Sequence, residues 1–129
     1  MVFDSSHVIS TRMTKLAELI AREEGFFKTG ALPARRHNPG DLRHSPHSSH
    51  VGIGPNDIGI IDSVADGWAD LERQLQLFAS RGMTLEMAIY EFAPPTENDT
   101  ARYLADVLEG FDGAVTADMP LKQVLEISA

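Results

Sequence analysis

Two adjacent glutamates, Glu23 and Glu24, close a run of helical periodicity just ahead of Gly25. The C-terminal end of a helix carries the negative pole of its dipole, so acids there sit against the local field. That field and the like charge next door both favour the protonated form of one of the pair. A carboxyl that keeps its proton near neutral pH is the group a general acid needs, as in cleavage of a glycosidic bond. Glu24 follows Ile20 by four residues and Leu19 by five. Its side chain therefore leans toward the apolar face, where burial raises the pKa further, while Glu23 points more to solvent. On spacing alone the plainer account carries more weight: two surface acids at a frayed helix end, since the dipole effect is small and fades within a turn.

Other residues could serve such an acid. Asn38, Pro39 and Gly40 make a tight turn. Gly40 lets the backbone approach a ligand with no Cβ in the way, and Asn38 can both donate and accept, as an amino sugar requires. The same three residues also read as a purely structural turn. Arg43 can pair with a carboxylate on a ligand or with Asp41. Tyr90 and Tyr103 each combine a ring that stacks on a sugar face with a hydroxyl that can reach a carboxyl, and each could equally be a core residue with a satisfied hydroxyl. Glu97–Asn98–Asp99–Thr100 is most simply a helix start. Asn98 joins Asn38, Gly40, Arg43, Tyr90 and Tyr103 as the candidate substrate-binding residues. Trp68 falls on an apolar helical stripe, which makes it core before it is a sugar platform. His37, His44, His47 and His50 lie in a breaker-rich stretch with no helical face to fix metal geometry, so they read as a solvated loop, and no metal is expected.

The elements that must position these residues follow from periodicity. Met13, Leu16, Leu19 and Ile20 recur at helical spacing, predicting a helix from about residue 11 to 24, capped by Ser10 or Thr11 and stopped by Gly25. Residues 1–9 read as an arm. Residues 28–57 hold Gly30, Pro33, Pro39, Gly40, Pro46, Gly52, Gly54 and Pro55, a density of breakers that means a long ordered loop of the kind that often carries function. Ile58, Ile60 and Ile61 suggest a short strand or small hairpin closing that region, which spans 28–62. Val64, Trp68, Leu71, Leu75 and Phe78 step by 4, 3, 4 and 3 behind a Ser63/Asp66 capping pair and predict a second helix ending near Arg81–Gly82. Thr84 caps a third, stopped by Pro94–Pro95. Asn98 or Asp99 caps a fourth, with Gly110 as its stop, and Asp118 caps a short fifth with Pro120 in its first turn. The sum is one all-α domain of about five helices with one elaborated loop.

Composition narrows the partners. The chain has 129 residues, 43% of them hydrophobic, no cysteine and a net charge of −8. One core fits that length and disulfides are impossible. The acidic balance disfavours nucleic acid, for which a basic surface supplies most of the affinity. It also disfavours electrostatic capture of an anionic cell wall, although Arg35, Arg36, Arg43 and four histidines crowd residues 35–50. No apolar run approaches the ~20 residues of a membrane span, and the start lacks the pattern of a secretory signal, which predicts synthesis in the cytoplasm.

The stretch IAREEGF, then RRHNPGDLR, IGIIDS, GWADLERQL and YEFAPPTENDTARYLADVL, resembles a family of phage- and bacteria-encoded lysozyme-like proteins related to lytic transglycosylases and virion-associated muramidases. The likeness runs from about residue 17 to 111, with NPGDLR and APPTENDTARY its most specific segments. It implies a lysozyme-like fold, a helical lobe with a long loop or small hairpin and a cleft between them. It also implies Glu24 as catalytic acid, tyrosines near positions 90 and 103, no cofactor, and peptidoglycan glycan strands as partner. Action at the cell wall or on a phage particle is implied as well, as a monomer or virion-associated. Asp41, Asp57 and Asp62 are the candidates for the second carboxylate of a hydrolase. None is compelling, so a single-acid transglycosylase scheme fits better. The alternative on the same fold is a non-catalytic glycan-binding or virion structural module.

Overall fold

The computed structural model describes residues 11–42, 45–47, 59–61, 63–96 and 98–125. Six helical segments succeed one another: α1 Thr11–Glu23, α2 Leu32–Arg35, α3 Val64–Ser80, α4 Leu85–Phe92, α5 Thr100–Gly110 and α6 Leu121–Leu125. The architecture is all-α, and no strand forms among the described residues. None of the described helices is long and apolar enough to cross a membrane. The one-turn α2 was not expected inside the breaker-rich region; Pro33 sits in its first turn, where a missing N–H costs nothing. The arm at 1–9, Ser10, Ile58, Asp62 and most of the presumed hairpin lie outside the described residues.

The helices form because their apolar faces share one core. Leu16 and Ile20 of α1, Leu71 and Leu75 of α3, Leu85 and Ile89 of α4, Val107 of α5, and Leu121 and Val124 of α6 are all fully buried. α1 packs on α3, α5 and α6, while α4 packs on α5 and α6. Caps match the sequence closely. The Ser63 and Thr84 hydroxyls accept from Asp66 N–H and Met87 N–H, and the Asp99 carboxylate, not Asn98, accepts from Arg102 N–H. Two expectations change. Val64, expected on the buried stripe of α3, is exposed. Asp118 accepts from the Thr116 hydroxyl, and α6 starts only after Pro120, whose carbonyl takes the Gln123 and Val124 N–H groups. α5 ends at Gly110 as expected, but without a left-handed conformation there. A Cβ there would come within 2.7 Å of Leu19 Cδ1, so this glycine lets α5 lie close on α1.

The loop preceding α3 is laid on that helix by a second absent side chain. A Cβ on Gly67 would collide with the His37 carbonyl oxygen and stand 2.9 Å from Pro39 Cδ. Ala is normally the better helix residue by about 1 kcal/mol, so the sign of this exchange is diagnostic. Gly67→Ala is expected to destabilise the protein by about 2–3 kcal/mol, as overpacking against rigid backbone does, read from the urea midpoint. A neutral or stabilising result would show that the loop is not held there.

Candidate active site

Glu24 occupies the C-cap of α1. Phe26 N–H reaches the Ala21 carbonyl at 2.9 Å and Gly25 N–H the Arg22 carbonyl at 3.1 Å. Gly25 takes φ 83°, so the helix ends in a Schellman motif. The chain then turns into three stacked aromatics. Phe26 meets Trp68 of α3 edge-on at 5.4 Å and Phe27 at the same distance, while Phe27 lies tilted over Trp68 at 6.2 Å. Trp68 is therefore a half-buried brace at the core margin, and it fixes the chain as it leaves Glu24.

From α5 the buried Tyr103 hydroxyl donates to Glu24 Oε2 at 2.7 Å. Burial pushes the Glu24 carboxyl from 4.5 up to about 7; the tyrosine hydrogen bond opposes this, and the negative charges of Asp41 and Glu23 add to it. Burial and the Glu24 charge push the Tyr103 phenol far up, so it remains a donor throughout the physiological range. Glu23 does not simply point to solvent, as its position suggested. It is half-buried, and burial together with a hydrogen bond and repulsion from Asp106 of α5 raises its carboxyl too.

The turn expected to touch a ligand has another task. Asn38 is 0% exposed. Its Nδ2 donates to the carbonyls of Leu42 at 2.7 Å and Gly59 at 3.0 Å, and its Oδ1 accepts from Leu42 N–H at 2.9 Å. With its donors and acceptor used up, it clips 38–42 to residue 59, and of its two sequence readings the structural turn is the one observed. Gly40 is likewise a packing glycine: a Cβ there would sit 2.7 Å from Leu71 Cδ1. Ile61 N–H to the Arg36 carbonyl and the His37 Nδ1 contact to the Ile61 carbonyl, both 3.0 Å, complete the clip. What the turn delivers is Asp41, in the left-handed region at φ 53° and close enough to Glu24 to repel its charge.

Tyr90 stands exposed on α4, and the hydroxyl that reaches Glu24 is that of Tyr103. Asn98 is exposed, its Nδ2 donating to the Pro94 carbonyl at 3.3 Å. Arg43, His44, His50, Asp57 and Asp62 lie outside the described residues. His47 is not a freely solvated loop residue. Its Nδ1 lies 2.6 Å from Asp70 Oδ1 and its backbone N–H donates to Asp70 Oδ2 at 3.0 Å. Burial pushes the Asp70 carboxyl up, but the neighbouring Ser45 hydroxyl and the His47 N–H groups outweigh it and hold it below its usual range. The firm partner is His47, since the buried Ser45 hydroxyl finds no acceptor or donor at good geometry. Asp70 and Gly67, both within GWADLERQL, thus pin the loop to α3. Sequence reading missed both, because their partners in the loop are remote in the chain. Among the described residues no cluster of His, Asp and Glu could hold a metal. Three grooves bounded by described residues run along α1, and Glu24 is not among their lining residues.

The chain matches no family model, no curated protein and no solved structure.

Among the described residues the Tyr103 hydroxyl is the donor that favours ionised Glu24. In Tyr103→Phe the Glu24 carboxyl is expected to titrate above its wild-type value of about 7. Carbon NMR of the side-chain carboxyl reads this directly, and a downward shift would contradict the assigned geometry.

Proposed function

We propose that the protein cleaves the glycan strands of peptidoglycan at the β-1,4 bond between MurNAc and GlcNAc, as a lysozyme-like glycosidase of the lytic transglycosylase type. One observation carries the reading: a half-buried carboxyl at the C-cap of the first helix, raised by desolvation to about 7 and gripped through one oxygen by a tyrosine hydroxyl. The motif resemblance supplies the substrate class, and the all-α architecture is compatible with it.

The geometry orders the proton. Tyr103 fixes Oε2 as an acceptor, which leaves Oε1 to carry the hydrogen. In the proposed first step that proton passes to the glycosidic oxygen as the bond to MurNAc C1 breaks. The substrate's own acetamido oxygen supports the oxocarbenium-like carbon. Glu24, now a carboxylate, takes the proton from the C6 hydroxyl as that oxygen bonds to C1. The products are a GlcNAc end and a 1,6-anhydro ring, with Glu24 protonated again. Tyr103 positions the carboxyl, and Asp41 keeps it protonated by repulsion. The competing hydrolytic route would use Asp41 as the second carboxylate, which requires a separation of about 5 Å for retention or more for inversion.

A second reading is a non-catalytic glycan-binding or virion module on the same fold. The observation favouring it is the net charge of −8, which gives a freely diffusing enzyme no electrostatic attraction to an anionic wall.

Purified sacculi separate the two. Wild-type protein is expected to release soluble muropeptides with anhydro ends, seen by mass spectrometry, and Glu24→Gln to lose at least about 10²-fold of that rate, as loss of a general acid does. Because the protonated form is the active one, the rate should fall as pH rises through about 7. Binding without release would favour the module, and wild-type release by Glu24→Gln would end the catalytic assignment.

A further inference from the structure

Between α1 and α3 lies a groove of about 390 Å³ that includes neither Glu24 nor Tyr103. It is within the size range of small-ligand sites, about 300–1,000 Å³. Trp68 lines it, with three alanines whose small side chains leave the space open. Three oxygen-bearing side chains complete it: Thr14 and Glu18 from α1 and Glu72 from α3. Among the described residues none of the three makes a hydrogen bond or an ion pair with another side chain. Phe26 and Phe27 hold the indole from the α1 end, and Phe27 is itself 59% exposed.

We infer that this groove is a second glycan-binding site, in which the Trp68 ring stacks on a pyranose face while Glu18 and Glu72 accept hydrogen bonds from its hydroxyls. The chemistry is complementary in both parts. A pyranose offers an apolar face of C–H bonds, which an aromatic ring covers. Its hydroxyls radiate around the ring edge, and carboxylates on two different helices can accept from opposite sides. The choice of a glycan, rather than another polyol, rests on the substrate class proposed above. A site away from Glu24 would keep the protein on a strand between cleavage events, which an acidic protein on an anionic wall cannot achieve by charge attraction.

Trp68 is the only tryptophan in the chain, so intrinsic fluorescence reports on this groove. The Glu24→Gln protein, chosen to prevent cleavage, is titrated with the neutral tetramer of N-acetylglucosamine. A saturable change is expected, weakened at least about tenfold when Glu18→Ala and Glu72→Ala are added, since two charge-assisted hydrogen bonds are lost. Circular dichroism establishes that the added substitutions leave the helices intact. No response, or one indifferent to Glu18→Ala and Glu72→Ala, overturns the site. A response to decalysine with none to the tetramer also overturns it and assigns the groove to a cationic peptide. Muropeptide release by the wild type is a separate readout, so the groove and the proposed role of Glu24 can fail independently.

Discussion

A carboxyl at the C-terminal end of a helix, half out of water and beside two other acids, is a costly arrangement, and the bond from Tyr103 is what makes it tolerable. Among the described residues, burial, the Asp41 charge and the Glu23 charge favour neutral Glu24, and the tyrosine favours the ion. Since the hydroxyl can donate to either protonation state, it fixes orientation more firmly than it fixes charge. The consequence for stability has a definite sign. Between the ordinary value of 4.5 and about 7 the folded protein binds the proton that the unfolded chain releases. Stability therefore falls as pH rises through that window, by a total on the order of 3 kcal/mol at most. A group that weakens the fold at neutral pH is retained at the expense of stability, which is how sites of chemistry usually stand out from the rest of a molecule.

The same constraint explains the arrangement around the carboxyl. Phe26 and Phe27 lock the chain that leaves Glu24 onto Trp68, and α5 brings Tyr103 in from the other direction. The Asn38 clip brings in the third neighbour. Asp41 needs a left-handed backbone to arrive where it does, a conformation aspartate tolerates better than most residues. That turn cannot hold itself, being short of apolar side chains. It rests on α3 through the missing Cβ atoms of Gly40 and Gly67 and through the buried Asp70, which takes hold of His47. Polar groups inside a small core are normally a liability. Here each fixes a stretch of irregular backbone whose own N–H and C=O groups need partners.

The helices could be read from the sequence because their causes are local. Periodic leucines, the Ser63, Thr84 and Asp99 caps, and a glycine or proline near a helix end all lie within about one turn of the element they shape. Glu24 was legible for the same reason: its distance from Ile20 sets which face it takes. The errors concern residues whose partners are remote in the chain. Asn38 looks like a ligand-binding amide until Gly59 is folded against it. Gly40 looks like a ligand approach until Leu71 is in place. Tyr90 and Tyr103 are alike by type, and only the packing of α1 against α5 decides which one faces the acid. Glu23 was assigned to solvent because nothing in sequence places Asp106 across from it.

Two neighbouring glutamates with raised pKa values need not be interchangeable, and their partners separate them. Glu23 faces Asp106, whose hydrogen bond and charge add to burial in raising the Glu23 carboxyl, while Arg22 and Arg102 lower it. It joins α1 to α5, and moving its proton to a substrate would leave two carboxylates facing one another. Glu24 has no acidic hydrogen-bond partner among the described residues. Its one bond is to a phenol that stays protonated, so loss of its proton creates an anion that Tyr103 already solvates. Release from Glu24 therefore keeps the same partner in place, and recapture needs no rearrangement. A residue that must serve as acid and then as base needs that symmetry, and of the two carboxyls only Glu24 has it.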